Sequence, residues 1–210
     1  MFGTVQGRIA VLVSGTGSNM VALIDACDEG RVPGTVVLVA ADRPCKGVET
    51  ARAREVETAI VSPSDYGSRD EWSAALRDIV AASNPGLVVS AGFMRILAPS
   101  FVDAFSGRLI NLHPSLLPAF PGAHGVRDAL EYGVKVTGST VHFVDREVDH
   151  GPVLLQEPVP VEPGDTEESL HERIKAVEHR LLPEACRLVL DQRVRIEGGR
   201  TVVETEGARS

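Results

Sequence analysis

A chain of 210 residues that is 43% hydrophobic can bury a sizeable core and fits one large domain over residues 1–210, with flexible ends expected at 1–7 and 205–210. Its formal net charge of −8 excludes the basic face that a large nucleic-acid footprint needs, yet leaves room for a small anion held by backbone N–H groups and a few arginines. Aromatic residues make up only 4%, so the core must come from Val, Ile, Leu and Ala, the mixture of a parallel sheet buried under helices on both faces.

Residues 9–13 read as a buried strand. Ser18 or Asn19 then caps a helix whose apolar residues Met20, Leu23, Ile24 and Cys27 recur at helical spacing until Gly30 stops it. A second strand is predicted over 36–41, a short helix over 46–54 and a weaker strand over 58–61. Another helix spans 68–83, with Trp72, Leu76, Ile79 and Val80 on one face. Strands follow at 87–91 and 108–112. This alternation predicts right-handed crossovers and an α/β fold with an open, mostly parallel, Rossmann-like sheet.

Beyond Pro114 the texture changes. Residues 116–122 hold Pro118 and Pro121 and can be neither helix nor central strand, so a surface loop is expected there. Residues 135–144 and 153–161 read as extended. Asp165 or Thr166 opens a long helix striped by Leu170, Ile174, Val177 and Leu181, with a kink expected at Pro183. Residues 193–196 and 201–203 suit a small terminal hairpin.

Cys27, Cys45 and Cys186 are odd in number, far apart and without metal-ligand spacing, which reads as reduced thiols in a reducing compartment. No apolar run reaches the ~20 residues of a membrane span, and residues 1–7 lack a signal-peptide pattern. The cytoplasm is the expected location.

Two stretches carry chemistry. The loop Ser14-Gly15-Thr16-Gly17-Ser18-Asn19 joins the first strand to the first helix, where glycines permit a tight turn and the helix start offers N–H groups to a phosphate. A nicotinamide-dependent dehydrogenase is the alternative, with Asp42 ending the second strand where a ribose-reading acid would stand, although Met20 occupies the place of the third fingerprint glycine. A tight turn without ligand is the third reading. The second stretch, Asn111-Leu112-His113-Pro114-Ser115, ends an inner strand, and alternation puts Asn111 and His113 on one side. An amide and an imidazole there can hold the oxyanion formed when an amine attacks a carbonyl, helped by a carboxylate from the acidic turn around Asp149. The bland alternative is a satisfied histidine at a strand end beside solvated acids.

Five segments in order resemble the phosphoribosylglycinamide formyltransferase family of purine synthesis, over roughly residues 9–187. They are the Ser14–Asn19 loop, Ala91-Gly92-Phe93-Met94-Arg95-Ile96-Leu97, the run from Asn111 to Pro118, Gly138-Ser139-Thr140-Val141-His142-Phe143-Val144, and Asp149 before Gly151-Pro152. The resemblance implies the formyltransferase fold, with antiparallel strands toward the C-terminal end. It implies Asn111, His113 and Asp149 as catalytic residues, and Gly17, Ser18, Asn19 and Glu178 as contacts for the phosphoribosyl acceptor. Arg69, Met94, Arg95, Ile96, Leu97 and Asn111 fall on folate-binding positions, and His142 on a supporting one. The implied co-substrate is 10-formyltetrahydrofolate. No metal and no covalent enzyme intermediate are expected, because no cysteine or serine has an activated setting. Small molecules are the expected partners, without nucleic acid or membrane, and a homodimer is the one assembly considered. Where the family often has glycine after the catalytic acid, this chain has His150. A formyl-folate hydrolase, with water as acceptor, is the nearest rival, and a tRNA formyltransferase would call for a basic RNA-binding module.

Overall fold

The computed structural model describes residues 7–204, so the stretches 1–6 and 205–210, expected to be flexible, lie outside the described residues. Its centre is a seven-stranded sheet. The strands in chain order are β1 (Arg8–Val13), β2 (Thr35–Ala41), β3 (Glu57–Ile60), β4 (Leu87–Ser90), β5 (Leu109–His113), β6 (Val136–Phe143) and β7 (Val153–Pro160). They lie in the order β3-β2-β1-β4-β5-β6-β7. The first five run parallel, and β6 pairs antiparallel with both β5 and β7.

Helices α1 (Ser18–Asp28), α2 (Lys46–Ala53), α3 (Arg69–Ala82), α4 (Pro99–Ala104), α5 (Gly125–Tyr132) and α6 (Glu167–Leu190) cover the faces. Alternation along β1 explains the layering. Ile9, Val11 and Val13 join Leu23, Leu182 and Cys186 in one core, while Ala10 and Leu12 join Trp72, Leu76 and Phe101 in the other. Trp72 lies 2% exposed, and its indole N–H donates to the Val61 carbonyl at 2.8 Å, so a large apolar ring enters the core without an orphaned donor. A hairpin of β8 (Val194–Glu197) and β9 (Arg200–Val203) closes the description.

Two helix starts follow their sequence signals. Ser68 accepts from the Glu71 N–H at 3.2 Å, and Thr166 makes a reciprocal cap with Ser169. The start of α1 differs from expectation. Gly17, left-handed at φ 74°, takes the cap position, and no side chain caps the helix. Only a residue without Cβ turns there cheaply, and the consequence is a helix start whose first N–H groups stay available. Helix α6 runs unbroken through the buried Pro183. Helices α4 and α5 were not anticipated; each is short, and α5 follows the proline-rich stretch directly.

Strand order reverses between β1 and β4, which therefore bring the turns at their carboxyl ends side by side. Open α/β sheets bind ligands in that crevice.

Candidate active site

Three segments meet at this crevice. The turn after β1 is bound to the one after β4: the Ser14 N–H donates to the Gly92 carbonyl at 3.1 Å, and the Met94 N–H donates to Ser14 Oγ at 2.9 Å. Beside them β5 delivers Asn111 and His113. A cleft of about 380 Å³ opens here, walled by Gly92–Leu97, by Asn111 and His113, and by the 144–149 loop. Its size fits a small-molecule ligand. Met94 and Ile96 are 62% and 58% exposed at its rim. None of the hydrogen bonds among the described residues uses the backbone of Arg95, Ile96 or Leu97, so those N–H and C=O groups are free to read a ligand's edge.

Asn111, His113 and Asp149 converge. The Asn111 amide donates to Asp149 Oδ1 at 3.4 Å and lies 3.2 Å from His142 Nε2. His113 Nδ1 lies 3.5 Å from Asp149 Oδ2. His113 Nε2 lies 2.8 Å from the Phe120 carbonyl, which can only accept, so this nitrogen carries a hydrogen. With a carboxylate facing the other nitrogen, the ring is surrounded by acceptors. His142 Nδ1 lies 2.9 Å from the Phe143 carbonyl and is fixed as a donor by the same reasoning. Its Nε2 faces both the Asn111 amide at 3.2 Å and Asp149 Oδ1 at 3.7 Å.

Asp149 owes its reach to local backbone shape. It takes a left-handed φ of 52°, and the register between β6 and β7 shifts between Val141 and His142. Burial works to raise its pKa, but the His142 contact, the Gly122 N–H at 2.8 Å and the charges of His113 and His142 outweigh it. The carboxyl is thereby held below its ordinary range. Ionised Asp149 thus contributes stability above the usual carboxylate range, lost as pH falls through the lowered value.

The loop also carries His150, whose Nδ1 lies 2.9 Å from Asp145 Oδ2. That contact, with Glu147 and Asp145 charges, raises the His150 pKa. Its contribution is therefore full below ~6.5 and fades as pH rises through the raised value. We expect His150→Gln to lower Tm more at pH 6 than at pH 9; a pH-independent gap would show that the pair does not hold the loop.

The remaining predicted residues sort into two places. Gly17, Ser18 and Asn19 start α1, and the Asn19 amide donates to Glu178 Oε2 at 2.8 Å. Glu178 is 4% exposed rather than on a solvated helix face, and burial raises its pKa against the hydrogen bonds of Asn19 and Ser139. Ser139 lies 3.2 Å from the His113 carbonyl, so a chain of polar contacts links the glycine turn to the strand that carries His113. Arg69 is exposed at the start of α3 and does not line the cleft. His124 and His179 are exposed and His171 is partly buried on α6, all outside the cleft wall.

The carbonyl of Phe120 and the N–H of Gly122 were missed. Backbone groups carry no side-chain signature, and the only sign was Pro121-Gly122, with Gly122 at φ 93°. A second hollow of about 620 Å³ lies behind the 147–153 loop, against Thr201, and contains neither Asn111 nor His113. Among the described residues no three His, Cys, Asp or Glu side chains group as metal ligands, and no helix is long and apolar enough to cross a membrane.

An open α/β sheet that gathers an amide, an imidazole and a carboxylate at its strand ends has the equipment of an acyl-group transferase. The formyl transferase profile matches residues 7–186, and the chain belongs to the formyl transferase family. It is 53% identical over 191 residues to the phosphoribosylglycinamide formyltransferase of Mycobacterium tuberculosis, covering 91% of this chain and 88% of that one. Identity to the enzyme of the same description from Escherichia coli is 43%, covering 90% of each. The crystal structure of glycinamide ribonucleotide transformylase 1 from Symbiobacterium toebii superposes with a TM-score of 0.94 at 47% identity, covering 98% of both chains.

Proposed function

We propose that this chain moves the formyl group of 10-formyltetrahydrofolate onto the amine of glycinamide ribonucleotide, a step of purine synthesis, by direct attack through a tetrahedral intermediate. The observation that carries this reading is the meeting of Asn111, His113 and Asp149 at one cleft in a formyl transferase whose relatives are named for that acceptor.

In this reading the donor's ring lies along residues 94–97, where the free backbone edges of Arg95, Ile96 and Leu97 pair with it. Arg69 adds a contact to the folate from outside the cleft wall through its reach and charge. The acceptor's phosphate sits on the uncapped N–H groups of Gly17, Ser18 and Asn19. Glu178 takes the ribose hydroxyls on the lone pairs that Asn19 and Ser139 leave unused.

The amine nitrogen attacks the formyl carbon, a C–N bond forms, and the carbonyl electron pair moves onto oxygen. Asn111 and His113 stabilise that oxyanion, a contribution of ~3–4 kcal/mol per donor. The Asn111 hydrogen bond to Asp149 is long at 3.4 Å, so a full negative charge nearer the amide draws the N–H away from it. Asp149 receives the amine's proton, directly or across a water, and the leaving nitrogen of the folate regains one as the intermediate collapses. His142, pinned by the Phe143 carbonyl, orients the Asn111 amide.

One assay tests the function. Absorbance of a stable formyl-folate analogue is followed with and without glycinamide ribonucleotide. Consumption that depends on the acceptor supports transfer. Equal consumption without it would mean a hydrolase, and no consumption an inert binder.

The acceptor subsite has its own test. A Cβ on Gly17 would approach Gly47 Cα to 2.8 Å at a backbone angle that side chains rarely adopt. Gly17→Val should raise the acceptor KM about tenfold or more while the donor KM stays within about twofold. An unchanged acceptor KM would remove the phosphate from this loop.

A further inference from the structure

Asp42 follows β2 where a dinucleotide-binding fold would present a ribose-reading acid, but its side chain has no exposure at all. It turns sideways instead. Oδ2 accepts from Arg95 Nε at 2.7 Å and lies 3.2 Å from Arg43 Nη2, while Oδ1 accepts from Arg43 Nε at 3.4 Å. Next to Arg95, the Met94 N–H donates to the Ser14 hydroxyl oxygen at 2.9 Å. One buried carboxylate and one hydroxyl thereby grip neighbouring residues of the strip after β4. Burial disfavours the charge of Asp42, but Arg95, Ser14 and Arg43 together hold its pKa below the ordinary range.

The placement matters because Phe93 and Leu97 pack on the Trp72 core, while Met94 and Arg95 between them are held by hydrogen bonds. Between Gly92 and the Ala98 N–H, which donates to Ser73 at 3.0 Å, the strip's hydrogen bonds to the rest of the chain run to Ser14 and Asp42. Ser14 is also the first residue of the glycine turn. We propose that Asp42 is a positioning residue: through Arg95 it holds the donor's strip in register beside the Ser14 contact that ties the strip to the acceptor's turn. Rigid positioning of two reactants within a fraction of an ångström is a large part of what such a cleft supplies. Asp42 touches neither substrate, and it acts only through Arg95.

The inference rests on the proposed two-substrate reading, and the test separates the two. Wild type, Asp42→Asn, Arg95→Gln, the double variant and Ser14→Ala are assayed for kcat and both KM values, with binding of a formyl-folate analogue followed by fluorescence. Asparagine keeps the size but turns an amide N–H toward Arg95. Asp42→Asn should raise the donor KM about tenfold and leave kcat within about threefold. Adding Arg95→Gln to it should raise the donor KM no further than the larger single effect. Arg95→Gln, which leaves the carboxylate in place, should raise the donor KM by a similar factor and decides the matter should Asp42→Asn fail to fold, while Ser14→Ala should raise it about threefold. Unchanged donor KM and analogue affinity in Asp42→Asn or Arg95→Gln, a loss confined to kcat, or fully additive effects would overturn the inference. A wild type that binds the analogue but transfers nothing would instead overturn the functional reading.

Discussion

Replacing Asp149 with asparagine is expected to lower kcat about a thousandfold while both KM values stay within a few-fold. The carboxylate has four tasks in a small space. It accepts from the Gly122 N–H at 2.8 Å and from the Asn111 amide at 3.4 Å, and it faces ring nitrogens of His113 and His142 at 3.5 and 3.7 Å. An asparagine oxygen can keep only the Gly122 bond. The new amide then faces Asn111, donor against donor, and the negative charge beside His113 Nδ1 is gone. The loop should stay in place, since the group that anchors it to Gly122 survives, which is why substrate binding is spared. Turnover within tenfold of wild type would refute this role for the carboxylate.

Gly151→Ala is expected to be the most damaging small change in the chain. A Cβ there would fall well inside the van der Waals radius of the Phe143 carbonyl oxygen, and close to Asp145 N. Both neighbours are backbone and cannot swing aside. Strand β7 enters the sheet at this point, where the Phe143 N–H donates to the Pro152 carbonyl at 2.9 Å. Making room means losing that bond and shifting Asp149, two residues earlier. We expect a destabilisation of about 3 kcal/mol, or roughly 10 °C in Tm for a domain of this size. Turnover should fall even at temperatures where the variant stays folded. Thermal unfolding followed by circular dichroism, with activity assayed well below the transition, reads both effects; a variant with wild-type Tm and turnover would show that the close approach is not needed.

The parallel half of the sheet was legible because its strands are buried on both faces and so read as near-continuous β-branched runs. Residues 9–13 and 36–41 needed no tertiary information, and neither did the start of the long helix at Thr166. Helices α4 and α5 lay below the reach of periodicity. Six residues from Pro99 to Ala104 contain less than two turns, and in α5 only Val126, Ala129 and Leu130 mark the inward face. Gly133 in a left-handed conformation after Tyr132 was the available stop signal.

Within the candidate site, strand alternation alone set Asn111 and His113 on one side. What alternation does not reveal is who meets them. Asp149 reaches His113 only through the register shift in β6 and a left-handed residue in the loop, neither of which has a local sequence code. Glu178 has the charge of a surface residue, yet it stands on the buried stripe between Ile174 and Leu181, where Asn19, 159 positions earlier, offers it a hydrogen bond. Asp42 was noticed as an acid at a strand end. Its partner, Arg95, is 53 positions away, and burial of the carboxylate under it closes off the ribose-reading role that its position first suggested.

The central claim is that acceptor amine and formyl carbon meet directly in the cleft of Asn111, His113 and Asp149. Isotopic labelling tests it most directly: a formyl-folate analogue carrying heavy oxygen in its formyl group is turned over with glycinamide ribonucleotide in ordinary water, and the product is weighed by mass spectrometry. Direct transfer predicts that the formylated product keeps the label. Product formed with the label lost to water, or label recovered as formate while the acceptor stays unmodified, would contradict it.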